Sequence, residues 1–171
     1  MHEPHGFRAF VEARYPSLVR FGTLLCGDPG RGEDLVQESL IKTLRGWTRV
    51  GLGEGDPEAY TRKVMTHAAW RASRRKWWCE RPTDQLPEQV DQAGSDAYAR
   101  ADTVDAVRAA LAMLPAQQRV VLVLRFWAHL TEAEIAHELG CSTGTVKSRA
   151  SRAIAALRGS GLLDETVGGA R

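Results

Sequence analysis

Between Arg81 and Ala101 the chain has no sustained apolar period, and its organisation follows from that interruption. Pro82, Pro87 and Gly94 punctuate the stretch, and from Glu80 to Asp105 seven Asp or Glu stand against only Arg81 and Arg100. A segment of this kind cannot bury enough apolar surface to offset the entropy of ordering it. The 171 residues are therefore expected to form two small helical domains joined by a flexible acidic linker.

Both flanks read as helix. Phe7, Phe10, Val11, Leu18, Val19 and Leu25 recur near the 3.6-residue period over 6–26. Gly27-Asp28-Pro29-Gly30 is a break. A second helix is expected from Gly32 to Trp47, with Leu35, Val36, Leu40, Leu44 and Trp47 as its apolar stripe. After the glycine-rich loop Gly51–Pro57, Asp56 can cap a helix running to Trp78, and Pro57 suits its first turn. Beyond the linker, Val104, Val107, Leu111 and Leu114 share a face, and Pro115 opens the next helix with Val120, Val121, Leu124 and Trp127 as core candidates. Thr131-Glu132-Ala133-Glu134 has capping-box spacing, Gly140 ends that helix, and Ser142 can cap a last one from Thr143 to Arg158. No strand is expected. The fold class is all-α, with a first domain at 6–78, a linker at 79–101, a second domain at 102–158 and a disordered, glycine-rich tail at 159–171.

The net charge is only +2, but it is unevenly spread. Between Glu58 and Glu80 there is no acid, while Arg62, Lys63, Arg71, Arg74, Arg75 and Lys76 lie there; between Glu138 and Asp164 there is again none, with Lys147, Arg149, Arg152 and Arg158 present. Two basic segments separated by an acidic one point to two contacts with a polyanion and a connector that avoids it. No apolar run approaches the roughly 20 residues that span a bilayer, and the N-terminal residues have no signal-peptide pattern, so a cytoplasmic protein without membrane insertion is expected. Cys26, Cys79 and Cys141 are far apart and read as reduced thiols; with His129 and His137 they match no zinc spacing. There is no phosphate-binding glycine loop leading to Lys-Ser/Thr and no nucleophile elbow, so neither an enzyme nor a cofactor is expected.

Thr131–Leu157 has the form of a helix-turn-helix. Ile135, Leu139, Val146, Ile154 and Leu157 supply a shared core, and Thr145, Lys147, Ser148, Arg149, Ser151 and Arg152 lie on the outer part of the second helix. Hydroxyls and cations there suit phosphate contacts and base-edge hydrogen bonds in a major groove. By itself this also fits a stand-alone helix-turn-helix regulator with a helical sensor domain.

Leu114-Pro115-Ala116-Gln117-Gln118-Arg119, Thr131–Ala136 and Gly144-Thr145-Val146-Lys147-Ser148-Arg149 together resemble region 4 of the extracytoplasmic-function sigma factors, and Gly32-Glu33-Asp34-Leu35-Val36-Gln37-Glu38 is similar to their region 2.2. The two motifs stand in the family's order, and the resemblance covers about residues 7–158. It implies an RNA polymerase sigma factor that directs promoter recognition. Region 4 would bind the −35 element and the flap of the polymerase β subunit. Asp34, Gln37 and Glu38, spaced three and four apart on one helix face, would dock on the β′ clamp helices. Tyr60–Trp78 looks like region 2.4, which reads the −10 element; Tyr60, Arg62, Lys63, His67 and Arg71 would hold the opened strand, and Arg74, Arg75 and Lys76 would meet duplex phosphates. Trp70, Trp77 and Trp78 read as core more readily than as base-stacking rings. An anti-sigma factor is a common further partner in the family. Gly32 departs from it, standing where Ala is frequent, and so does the glycine-rich loop 51–55. A linker at 79–101 would span about 25–30 Å as a coil. Elements two DNA turns apart lie on the order of 70 Å from one another, so core polymerase is expected to hold the two domains in place.

Overall fold

The computed structural model describes residues 4–51, 55–79 and 99–160, which form eight helices and, among the described residues, no strand. They are α1 (Phe7–Cys26), α2 (Pro29–Arg45), α3 (Trp47–Val50), α4 (Pro57–Cys79), α5 (Ala99–Ala112), α6 (Ala116–Phe126), α7 (Glu132–Leu139) and α8 (Thr143–Gly159). Residues 80–98 of the expected linker and 161–171 of the expected tail lie outside the described residues, as do 52–54 of the loop. The linker's expected ends are helical, Cys79 closing α4 and Ala99 opening α5.

Local signals set the helix ends. The break after α1 is tighter than its four turn-forming residues imply. Asp28 accepts a hydrogen bond from the Arg31 N–H at 2.8 Å, so Pro29 is the first helical residue and α2 starts ahead of Gly32. Asp56 accepts from the Glu58 N–H at 2.8 Å at the head of α4. The capping box at Thr131 is complete, and Ser142 accepts from the Thr145 N–H to open α8. Trp47 is buried as expected, but it begins a separate short helix after Gly46. Its Nε1 donates to the His5 carbonyl at 3.0 Å, and its ring meets Phe7 edge-on at 5.0 Å.

Gly32 has a packing reason. α1 and α2 cross so closely that a Cβ at Gly32 would lie 2.5 Å from the Thr23 nitrogen, and one at Gly22 would lie 2.6 Å from the Gly32 carbonyl oxygen. An alanine at either position does not fit this crossing.

The two halves do not stand apart. Val120, Val121, Leu122, Val123 and Leu124 are all buried in α6, which packs against α1 and α4 of the first half as well as α7 and α8 of the second. Five successive residues run all the way round a helix, so α6 is enclosed on every side. One hydrophobic cluster therefore runs from Leu18, Phe21 and Leu25 through α6 to Ile135, Val146 and Ala153. Of the expected apolar positions, Val107 is 46% exposed and Trp127 44%, the latter beside Phe126 where α6 ends.

Candidate nucleic-acid interface

The helical period sorts the basic residues of α4. Thr61, Met65 and Ser73 are buried, while Lys63, Arg71, Arg74 and Arg75 are exposed, with Tyr60 and His67 half-buried beside them. Tyr60, Lys63, His67, Arg71 and Arg74 fall at successive intervals of three or four and make one stripe. Arg62 is out of register with that stripe. Its Nη2 donates to Glu58 Oε1 at 2.6 Å and its guanidinium lies over the Phe21 ring at 5.6 Å. Glu58 also pairs with Arg14 at 3.1 Å. Arg62 therefore clamps α4 to α1 and is set apart from the other strand candidates. Trp70 is buried, and the side chains of Lys76, Trp77 and Trp78 lie outside the described residues.

The helix-turn-helix sorts in the same way. Val146, Ala150 and Ala153 face inward, and Lys147, Ser148, Ser151 and Arg152 share the outward face of α8. Lys147 is only loosely held, 3.8 Å from Glu132, which Arg125 already pairs at 2.9 Å. Thr145 serves the helix start: its N–H donates to Ser142 Oγ at 3.1 Å and the two hydroxyls lie 2.9 Å apart. Arg149 turns away from the outward face. Its Nη2 donates to Gln117 Oε1 at 2.7 Å and its guanidinium stacks on Trp70 of α4, 4.9 Å from the ring centre. Desolvation is the main cause of a lowered Arg149 pKa, though a guanidinium stays charged.

On α2, Asp34, Gln37 and Glu38 are exposed together, opposite the buried Leu35, Val36 and Leu40. Ile41 joins them one turn later and is 52% exposed, an apolar member of the face that sequence reasoning passed over. Tyr15 of α1 donates to Glu33 Oε1 at 3.0 Å beside this face. Partial desolvation first, and Glu33 second, raise the Tyr15 pKa.

Two further residues join the halves: Arg119, which the sequence offers only as the end of the Leu114–Arg119 motif, and Glu138. Arg119, 7% exposed, donates from Nε to the Leu25 carbonyl at 3.1 Å and from Nη1 towards the carbonyls of Leu111, Ala112 and Leu114 at 3.4, 3.2 and 3.3 Å. Its charge sits between the C-termini of α1 and α5, where helix dipoles favour a cation. Burial pulls its pKa down from the ordinary arginine value. The guanidinium lies over Gly27, where φ is +73° and a Cβ would come within 2.5 Å of Nη1. That position needs both the left-handed conformation and the missing side chain. Glu138 of α7 meets α4: its carbonyl oxygen is 2.9 Å from His67 Nε2, its Oε1 3.0 Å from the same nitrogen, and its Oε2 3.5 Å from Lys63 Nζ. The carbonyl takes the hydrogen bond, leaving Oε1 near His67 without an aligned donor.

Among the described residues no group of three or more His, Cys, Asp or Glu side chains could hold a metal ion, and no helix is long and apolar enough to cross a membrane.

The family described as sigma-70 region 2 matches residues 10–79, and that described as sigma-70, region 4 matches residues 105–157. The RNA polymerase sigma-E factor of Streptomyces coelicolor is 36% identical over 164 residues, 92% of this chain and 87% of that one. The ECF RNA polymerase sigma factor SigL of Mycobacterium tuberculosis is 32% identical, covering 88% and 86%. The sigma factor RpoE of Bartonella quintana, solved in complex with the anti-sigma factor NepR, has a TM-score of 0.57 and 25% identity, covering 92% of this chain and 96% of that one.

Proposed function

The chain belongs to the extracytoplasmic-function branch of the sigma-70 family, and from that premise we propose a division of labour among its helices. The chain binds core RNA polymerase and directs promoter recognition and transcription initiation, as its family does. The first domain, 6–78, carries the −10 function and the second, 102–158, the −35 function. The single observation behind this reading is that three helices each turn one coherent polar face outward: acidic on α2, basic on α4 and basic on α8.

Asp34, Gln37 and Glu38, with Ile41 beside them, dock on the β′ clamp helices. Tyr60, Lys63, His67 and Arg71 hold the opened −10 strand, where ring stacking and backbone charge act together, and Arg74 and Arg75 meet phosphates on the duplex side. Lys147, Ser148, Ser151 and Arg152 enter the major groove at the −35 element, and Thr145 sets the helix start that aims them. Arg62 and Arg149 act through packing in the free chain. The exposed Phe126 and Trp127 at the end of α6 suit the β flap. The chemistry belongs to the polymerase, so the chain itself carries no catalytic step and works in the cytoplasm where the polymerase does. An anti-sigma factor is a further partner by analogy with the RpoE complex.

The test is run-off transcription with core polymerase. Wild-type chain should support promoter-specific initiation. Replacing Asp34, Gln37 and Glu38 with Ala should leave the fold intact, since all three are exposed, and weaken core binding at least about tenfold, the equivalent of about 1.4 kcal/mol. Equal competition for core enzyme by the triple variant would remove the docking assignment. Tight binding of a duplex operator by the free chain, with no effect on core enzyme, would favour a stand-alone regulator.

A further inference from the structure

Beside the outward face of α8, the end of α6 and the start of α7 form an open groove with it, lined by Arg125, Glu132, Lys147, Ser151, Ile154 and Arg158. Three of these are cations, and Glu132 is the one carboxylate on the groove among the described residues. It pairs with Arg125 at 2.9 Å and lies 3.8 Å from Lys147 Nζ. The two links are unequal. Arg125 is also held from the side of Phe126, over whose ring its guanidinium lies at 5.7 Å. The Lys147 side chain is 69% exposed, and its long contact leaves the amine free to take a further acceptor.

An acid in the first turn of a helix is favoured by the helix dipole. In α7 Glu134 already fills that role, its carboxylate closing the capping box on Thr131. Glu132 reaches instead across to α6 and α8. The consequence is electrostatic. With Glu132 between them, Arg125 and Lys147 carry one net positive charge where alone they would carry two. Attraction to DNA of any sequence grows with the number of cations that reach phosphates, so Glu132 weakens it. Reading a base edge depends instead on where donor protons point. A lysine ammonium has three donors, and a carboxylate that takes one of them fixes the direction of the others.

We propose that Glu132 is a specificity-determining residue for the −35 duplex, which withholds Arg125 from phosphates and orients Lys147 towards a base edge. This rests on the assignment of α8 to the −35 element. On DNA of the wrong sequence, Arg125 and Lys147 can gain only from phosphates, and the carboxylate opposes both. On the right sequence Lys147 donates to a base while still facing Glu132, so the carboxylate costs less there. Glu132 thereby widens the gap between the two affinities without touching DNA itself. That gap, rather than either affinity, is what selects one promoter among many competing sites.

The experiment uses full-length chain and two fluorescent duplexes of equal length and composition, one selected from a random library by holoenzyme and one scrambled. Each is titrated over a range of salt. Glu132→Gln keeps the size of the side chain and removes its charge. It should bind the scrambled duplex about three- to tenfold tighter at low salt, with the slope of log affinity against log salt steeper by about one unit. The selected duplex should gain less, so the preference for it should shrink by about threefold or more. In a Lys147→Ala background Glu132→Gln should leave the preference unchanged, because the side chain it orients is gone. A merely structural ion pair would move the melting temperature and leave both slope and preference alone. An unchanged preference overturns the proposal, whether or not the slope steepens, and so does a loss of preference that persists in Lys147→Ala. The underlying assignment fails separately: if Lys147→Ala, Ser148→Ala and Arg152→Ala together leave the preference intact, α8 does not read the duplex, and the role of Glu132 falls with it.

Discussion

α4 and α8 are alike in sequence terms, each a helix in an acid-free stretch with cations along one side, yet the fold treats them differently. Among the described residues, the outward face of α8 carries the loose Lys147–Glu132 contact of 3.8 Å, and Lys147, Ser148, Ser151 and Arg152 are exposed. The face of α4 is partly occupied by α7, which belongs to the other domain. The difference arises because α7 and α8 leave their turn in different directions from one shared core. Packing of Ile135, Leu139 and Val146 points α8 outward and swings the end of α7 onto α4. Two basic stripes alike in sequence thus differ in the acidic side chains that the tertiary structure sets beside them.

The strongest way to break this contrast is to cut the joint. Arg119→Ala removes the hydrogen bonds between its guanidinium and carbonyls of both halves. It should cost about 3 kcal/mol, since charge-assisted bonds in a buried site are lost and their acceptors left bare. In urea the halves should then separate before either unfolds, and a single transition at the wild-type midpoint would show that the joint lies elsewhere. Lysine at this position should not rescue, because an ammonium cannot reproduce the guanidinium fork.

A middle-sized effect sharpens the contrast from the α8 side. Lys147→Ala and Arg152→Ala should each flatten the salt dependence of duplex binding by about one unit if the contact is to phosphate. Each should instead cost about 1–3 kcal/mol at one base position if it reads a base edge. Arg149→Ala should change duplex binding less than either, because in the free chain its guanidinium is held on Trp70. A loss at Arg149 that exceeds both would mean that the stacked arrangement is not the one that binds DNA.

The smallest effect concerns the helix that carries Glu138. Thr131 receives the Glu134 N–H at 3.3 Å, and its own N–H and hydroxyl both donate to Glu134 Oε2 at 2.7 Å. Thr131→Ala should cost about 1 kcal/mol by thermal denaturation. The hydroxyl bond, then the backbone bond, hold the Glu134 carboxyl below its ordinary pKa. A depressed folded-state value gives stability that is present above the unfolded pKa and lost as pH falls through the folded one. The cost of Thr131→Ala should therefore be full near neutral pH and shrink on acidification. A cost that does not vary with pH would separate the cap from the charge of Glu134.

Much of the molecule was legible in the chain. The helices, the Asp56, Thr131 and Ser142 caps and the turn at Gly140 follow from short-range chemistry: periodic burial, side chains that satisfy helix-end N–H groups, and the few residues that can turn. The exposed acidic face at Asp34, Gln37 and Glu38 followed from the same period, and the family from motifs in fixed order. One long-range clue was present as well: Val120–Leu124 reads as uniformly apolar within a helix, and a helix apolar all round needs neighbours on every side.

Which cation is free and which is paired was decided only in the tertiary structure. The period places Arg62 and Lys63, or Lys147 and Arg149, on neighbouring parts of a helix but does not say what each part meets. The meetings that matter join His67 to Glu138 and Leu25 to Arg119, 71 and 94 residues apart in sequence. Periodicity is a property of a few turns, whereas a salt link or a buried guanidinium depends on the angle at which distant helices dock. That angle is set by the whole core, down to the missing side chains at Gly27 and Gly32.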